Sequence, residues 1–91
     1  MILDQTTLNG APSLLIHCDM REGLDGDAQT EPVESIIRID DSLRGREYLE
    51  TVMHEALHIQ LPSGSEEWIT RTAEELSAII YTPVVRKRSG L

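Results

Sequence analysis

The stretch LPSGSEE (61–67) divides the second half of this chain into two lengths of helical periodicity. Its Pro and Gly stop a helix, Ser65 is a good N-cap for the next one, and Glu66 and Glu67 fall in a first turn where the helix dipole favours negative charge. Before the break, Leu49, Val52, Met53, Ala56 and Leu57 recur at three- and four-residue intervals, an amphipathic face that reaches Ile59 or Gln60. After it, Ile69, Ala73, Leu76 and Ile80 form an inward stripe with Trp68 and Ile79 beside it, and Pro83 marks the end. A link this short makes the two helices antiparallel neighbours. Asp40, Asp41 and Ser42 offer capping oxygens for the first helix, with Gly45 leaving its start open.

The first 40 residues have a different character. SLLIHCDM (13–20) is compatible with a strand bounded by Pro12, and VESIIRID (33–40) has the β-branched content of a second. In the latter, Val33, Ser35, Ile37 and Ile39 alternate onto one face and Glu34, Ile36 and Arg38 onto the other. Between them DMREGLDGDAQTEP (19–32), rich in Gly, Asp and Glu, reads as a turn or long loop. The expected class is α+β: short N-terminal strands in a small sheet (1–40), an antiparallel helical hairpin (42–82) and a tail (83–91). At 91 residues this is one domain with a single small core. With Tyr48, Trp68 and Tyr81 as its only aromatic residues, that core is made of Ile, Leu, Val and Ala, and a bound metal would add usefully to its stability.

A net charge of -8 repels a phosphate backbone and argues against a nucleic-acid partner. Its one basic cluster, Arg86, Lys87 and Arg88, reads as part of a solvated tail. The apolar runs are too short to span a bilayer, nothing resembling a secretory signal opens the sequence, and a single cysteine, Cys18, excludes an internal disulfide. These features lead to the expectation of a cytoplasmic protein with no membrane partner. An apolar strand edge leaves monomer and dimer both open.

The chemistry is concentrated in MHEALHI (53–59). Positions i and i+4 of a helix share a face, so His54 and His58 can direct a ring nitrogen at one cation. Glu55, one position round, can reach a metal-bound water without being a ligand. This is the physical basis of HExxH: two neutral imidazoles hold Zn2+, the metal lowers the pKa of its water, and the glutamate takes the proton. In a chain of this composition the pattern arises by chance in about one sequence in a hundred.

A catalytic zinc has three protein ligands and one open position, so a third ligand is needed. His17, on the first expected strand, reads better as a solvent-facing or packed side chain. Among the acidic residues after the motif, the hairpin sets residue 66 opposite His58 and residue 70 opposite His54. Glu74 and Glu75 then lie about 12 Å further along, at 1.5 Å per residue, and read as a solvated face with Arg71. Glu66 continues the stripe through Ile69 and Ala73, whereas Glu67 is turned about 100° away. Glu66 is therefore the expected ligand and Glu67 the reserve. Thr51, Thr70 or a backbone carbonyl would orient the histidine rings.

With those residues laid out, IIRIDDSLRGREYLETVMHEALHIQLPSGSEEWITRTAEELSAIIY (36–81) resembles the HExxH-plus-glutamate metallopeptidases, the gluzincins in the broad sense, and most of all their small phage and prophage forms. The likeness lies in a strand leading into ID, a helix carrying HExxH, and a turn ending in SEE before a last helix. EEWITRTAEEL is also similar to the segment that supplies the glutamate ligand in ImmA/IrrE-type metallopeptidases, with Glu66 at the matching position. The pattern departs from the family at Thr70, where an Asn is usual, and in the short interval from His58 to Glu66. The resemblance implies a zincin-like fold, Zn2+ on His54, His58 and Glu66, and Glu55 as general base. It further implies that the strand before the motif, at Ile36, Ile37 and Arg38, is an edge along which a peptide or protein substrate adds by backbone hydrogen bonds. Two functions follow as expectations: a phage-encoded zinc metallopeptidase, or a zinc-stabilised binding module with little or no turnover.

Overall fold

A computed structural model describes residues 2–20, 24–30 and 35–90. Four strands, β1 (Ile2–Leu8), β2 (Ala11–Cys18), β3 (Gly26–Thr30) and β4 (Ser35–Asp40), precede three helices, α1 (Gly45–Gln60), α2 (Glu66–Ile80) and α3 (Pro83–Ser89). The class is α+β, and the strands form one sheet in the order β1-β2-β4-β3. β1 pairs antiparallel with β2, β2 parallel with β4, and β3 antiparallel with β4. None of the described helices is long and apolar enough to cross a membrane.

The alternation expected in β4 appears as a strict burial pattern, with Ser35, Ile37 and Ile39 buried and Ile36, Arg38 and Asp40 half-buried. Val33 and Glu34 lie outside the described residues. Ile37 and Ile39 meet Ile59 of α1, and Tyr48, Val52 and Ala56 pack against the same cluster. Residues 48, 52, 56 and 59 follow the 4-4-3 spacing of one helix face, and this face seats α1 on the sheet. A further buried row, Ile69, Ala73 and Ser77, lies on α2.

Several elements differ from expectation. β1 and β2 form a hairpin around Asn9 and Gly10, both with positive φ (52° and 74°), the conformation of a two-residue type I′ turn. The Asn9 side chain then donates to the Ile59 carbonyl at 3.0 Å, satisfying one of the acceptors left open in the last turn of α1. β3 occupies part of the segment expected to be a loop, because pairing with β4 gives its backbone groups partners that composition alone does not reveal. With β2 on one flank and β3 on the other, β4 is interior, so the expected edge at Ile36, Ile37 and Arg38 is incorrect; among the described residues the edges are β1 and β3. The tail is also corrected: Pro83, which ends α2, sits in the first turn of α3, where its missing N–H costs nothing.

The helix caps follow the same logic. Ser65 caps α2 as expected, accepting from the Trp68 N–H at 3.1 Å. At α1 the N-cap is Arg44, with no side-chain cap, while Asp40 instead accepts from the backbone N–H groups of Met20 and Ser42 and from the Ser42 hydroxyl. Those bonds hold its carboxyl below the ordinary aspartate range, the Ser42 hydroxyl contributing most.

Ile39 is fully buried between sheet and helix, whereas Ile79 of α2 is 59% exposed. Ile39→Ala is expected to lower the unfolding free energy by about 2–5 kcal/mol through lost burial and the cavity left behind. Ile79→Ala should change it by no more than about 0.5 kcal/mol, and chemical denaturation of the two variants checks the contrast.

Candidate metal centre

On α1, Glu47, Thr51, His54 and His58 recur at intervals of four, three and four, which places them along one flank of the helix beside the face that packs on the sheet. The turn at 61–65 reverses the chain within five residues, and the Ser65 cap starts α2 with Glu66 in its first position. Gly64 allows this reversal to stay close, since a Cβ there would lie 3.2 Å from the Leu61 carbonyl and 3.4 Å from Ile69.

Glu66 then faces both histidines. Its Oε1 lies 2.8 Å from His54 Nε2 and its Oε2 2.9 Å from His58 Nε2. The two Nε2 atoms are 3.1 Å apart, with the rings edge to face. One donor atom from each residue falls within 4.8 Å of the others, and this is the only such group of three among the described residues. Bonds of 2.0–2.1 Å to a tetrahedral zinc would hold donor atoms about 3.3 Å apart. The observed spacings need to widen by about half an ångström or less. Two imidazoles and a carboxylate are also the donor types zinc accepts. The residues therefore fit the ion.

Glu67 is exposed and outside the cluster, as are Glu74 and Glu75; Glu75 lies 3.9 Å from Arg71 in an i,i+4 pair. His17 is occupied elsewhere, its Nε2 hydrogen-bonded to the Tyr48 hydroxyl at 2.6 Å and its ring stacked on that of Tyr48. Burial, and secondarily Asp4, pushes the Tyr48 phenol above its ordinary range. Tyr48 thus braces α1 against β2. Thr70 is half-buried on α2, whereas Thr51 reaches the cleft next to the centre.

That cleft has a volume of about 420 Å³ and is walled by Asp25 and Gly26 at the start of β3 and by Glu47, Glu50, Thr51, His54 and Glu55 of α1. Glu55 is half-buried there. Burial pushes its carboxyl above the ordinary glutamate range, a shift opposed by His54 and His58 and reinforced by Asp27 and Glu66. Gly26 lets β3 come in tight, because a Cβ would meet the Arg38 carbonyl at 2.9 Å and the Thr51 methyl at 3.0 Å. Ile36, Ile37 and Arg38 do not line the cleft; Ile37 belongs to the core and Arg38 forms a two-pronged ion pair with Asp27 of β3. Glu47 and Glu50 were absent from the expected site, although their place one and two turns before His54 was open to a helical projection. Asp25 and Gly26 carried no such signal.

Metal content after gel filtration gives a direct check. Wild type is expected to retain one zinc per chain, His58→Ala and Glu66→Ala to lose it, and Glu67→Ala to keep it. Zinc at about a hundred times its dissociation constant should add about 2.7 kcal/mol to the stability of wild type and of Glu67→Ala, and not to that of the other two variants. Comparison with known proteins adds no further constraint: no family model, no curated protein and no solved structure matches the chain.

Proposed function

We propose that this chain is a zinc-dependent metallopeptidase, with His54, His58 and Glu66 as the metal ligands and Glu55 as the general base. The observation that carries the reading is the Glu66 carboxylate set within 2.9 Å of both histidine Nε2 atoms while Glu55 faces the adjoining cleft. A zinc ion held there supplies Lewis acidity, polarising a carbonyl and making water a better acid. Glu55 accepts the proton from the attacking water and passes it to the leaving amine. The closed ligand set of a structural zinc has four protein donors, and among the described residues this cluster has three, which leaves a position for substrate.

The substrate is an extended peptide laid along β3. This strand ends the sheet, its outer edge has no strand partner among the described residues, and its first residue borders the cleft. Backbone hydrogen bonds along such an edge hold a peptide without regard to sequence, so selectivity falls to the cleft. Its side chains include the carboxyls of Asp25, Glu47 and Glu50. A Lys or Arg next to the cleaved bond is therefore favoured over an acidic residue. The single cysteine of the sequence, Cys18, calls for no oxidising compartment, in keeping with a cytoplasmic setting.

Zinc-loaded protein incubated with a mixed peptide library and followed by mass spectrometry tests the reaction. Wild type is expected to cleave, and Glu55→Gln to keep its zinc while losing about 10²- to 10⁴-fold in rate. Full zinc occupancy with no hydrolysis of any library member would instead favour a zinc-stabilised binding module. In an active protein, Glu50→Lys is expected to lower kcat/KM for a basic peptide relative to a neutral one by about tenfold. That figure corresponds to roughly 1–1.5 kcal/mol for one partly screened charge reversal.

A further inference from the structure

α2 carries more apolar surface than the fold covers. Its buried row is Ile69, Ala73 and Ser77, yet Leu76, expected in the inward stripe, is 42% exposed, and Trp68 and Ile79, expected beside that stripe, are 37% and 59% exposed. At 100° per residue these three positions and the intervening Thr72 span about 80° of the helix, immediately beside the buried row. The spacing 68–72–76–79 is a four-four-three seam that runs the length of α2, of the kind one helix presents to another. Arg71, Glu74 and Glu75 occupy the far side as a charged rim. Of the large apolar side chains exposed among the described residues, only Leu24 lies away from the region formed by α2, its preceding turn and α3.

We propose that this seam is the docking surface for a second copy of the chain, the two α2 helices packing antiparallel about a two-fold axis. Such a seam is self-complementary: antiparallel pairing sets Trp68 close to Ile79 of the second copy and the small Thr72 close to its Leu76. Charge selects the same arrangement. A chain of net charge -8 repels its own copy unless opposite charges meet at the contact. α2 begins with Glu66 and Glu67, and its other end leads into α3, which carries Arg86, Lys87 and Arg88 and no acidic residue. The Arg86 guanidinium lies over the Tyr81 ring at 4.3 Å, which holds the start of this basic helix at the C-terminal end of α2. Antiparallel docking brings each α3 toward the acidic first turn of the other α2, whereas parallel docking would set like charges together. The dimer needs neither zinc nor hydrolysis.

Sedimentation velocity over a concentration series, with the emission of Trp68, the sole tryptophan, recorded alongside, tests the proposal. Wild type is expected to form a dimer that weakens with salt, with the Trp68 emission shifting to the blue as the dimer forms. Ile79→Glu, at an exposed position, should raise the dissociation constant at least about tenfold with an unchanged circular dichroism spectrum. Glu67→Lys and Arg88→Glu should each weaken the dimer and together restore it. A wild type that stays monomeric overturns the proposal, as does a dimer indifferent to Ile79→Glu or one that leaves the Trp68 emission unmoved. A double charge variant no better than either single one overturns the antiparallel arrangement.

Discussion

The seating of α1 on β4 is the contact on which the rest of the molecule depends. Ile37 and Ile39 present the buried face of an interior strand, and Ile59, with Tyr48, Val52 and Ala56, fills it from the helix. In a core this small, built without phenylalanine, few alternative packings of α1 bury as much apolar area. Once the face of residues 48, 52, 56 and 59 is turned to the sheet, the flank carrying His54 and His58 has no rotational freedom left. Two polar contacts pin the helix along its axis: Tyr48 on His17 near the start, and Asn9 on the Ile59 carbonyl near the end. The histidines are thus positioned by a strand pair and a hairpin turn distant from them in sequence.

Glu66 reaches this flank because the turn before it is short and capped. A longer link would cost only a little more closure entropy, but it would let the start of α2 wander, and the Glu66 oxygens would not stay within 2.9 Å of both histidine rings. Ser65 fixes where the helix begins, and Gly64 lets the backbone pass close to Leu61 and Ile69. Ile69, buried three residues after Glu66, anchors the same turn in the core. The carboxylate itself is 66% exposed, so its position owes more to these neighbours than to its own burial.

The parts of the architecture that were legible in the sequence are those where one local signal dominates. The helical period through Val52, Ala56 and Ile59, the break at LPSGS, the Ser65 cap and the alternation of Ser35, Ile37 and Ile39 each carry enough information alone. The illegible parts needed a partner to make sense. β3 is made of Gly, Asp, Ala, Gln and Thr, poor strand formers apart from Thr, and becomes a strand because Arg38 pairs with Asp27 and because Gly26 fits under Thr51. That unseen strand moved β4 from edge to interior. The hairpin at Asn9-Gly10 is the exception, since Asn-Gly between two strand-like runs is itself a strong local signal for a type I′ turn. On α2 periodicity alone could not separate Leu76 from Ser77 as the inward residue; the structure buries Ser77, whose hydroxyl donates to the Glu74 carbonyl at 3.0 Å and so needs no other partner, and leaves Leu76 42% exposed.

Glu55 shows how fold and site constrain each other. On the helix it lies between the flank of the histidines and the face that meets the sheet, so the rotation that points His54 and His58 toward Glu66 carries Glu55 partly into the packed side. A half-buried carboxylate loses hydration, which raises its pKa, and the neighbouring Asp27 and Glu66 add to the same effect. The histidines act in the opposite direction, yet burial prevails. A position chosen for stability alone would hold an alanine or leucine, as its neighbours Ala56 and Leu57 illustrate. A glutamate there conflicts with its surroundings, and local conflict of this kind is expected where a residue serves chemistry.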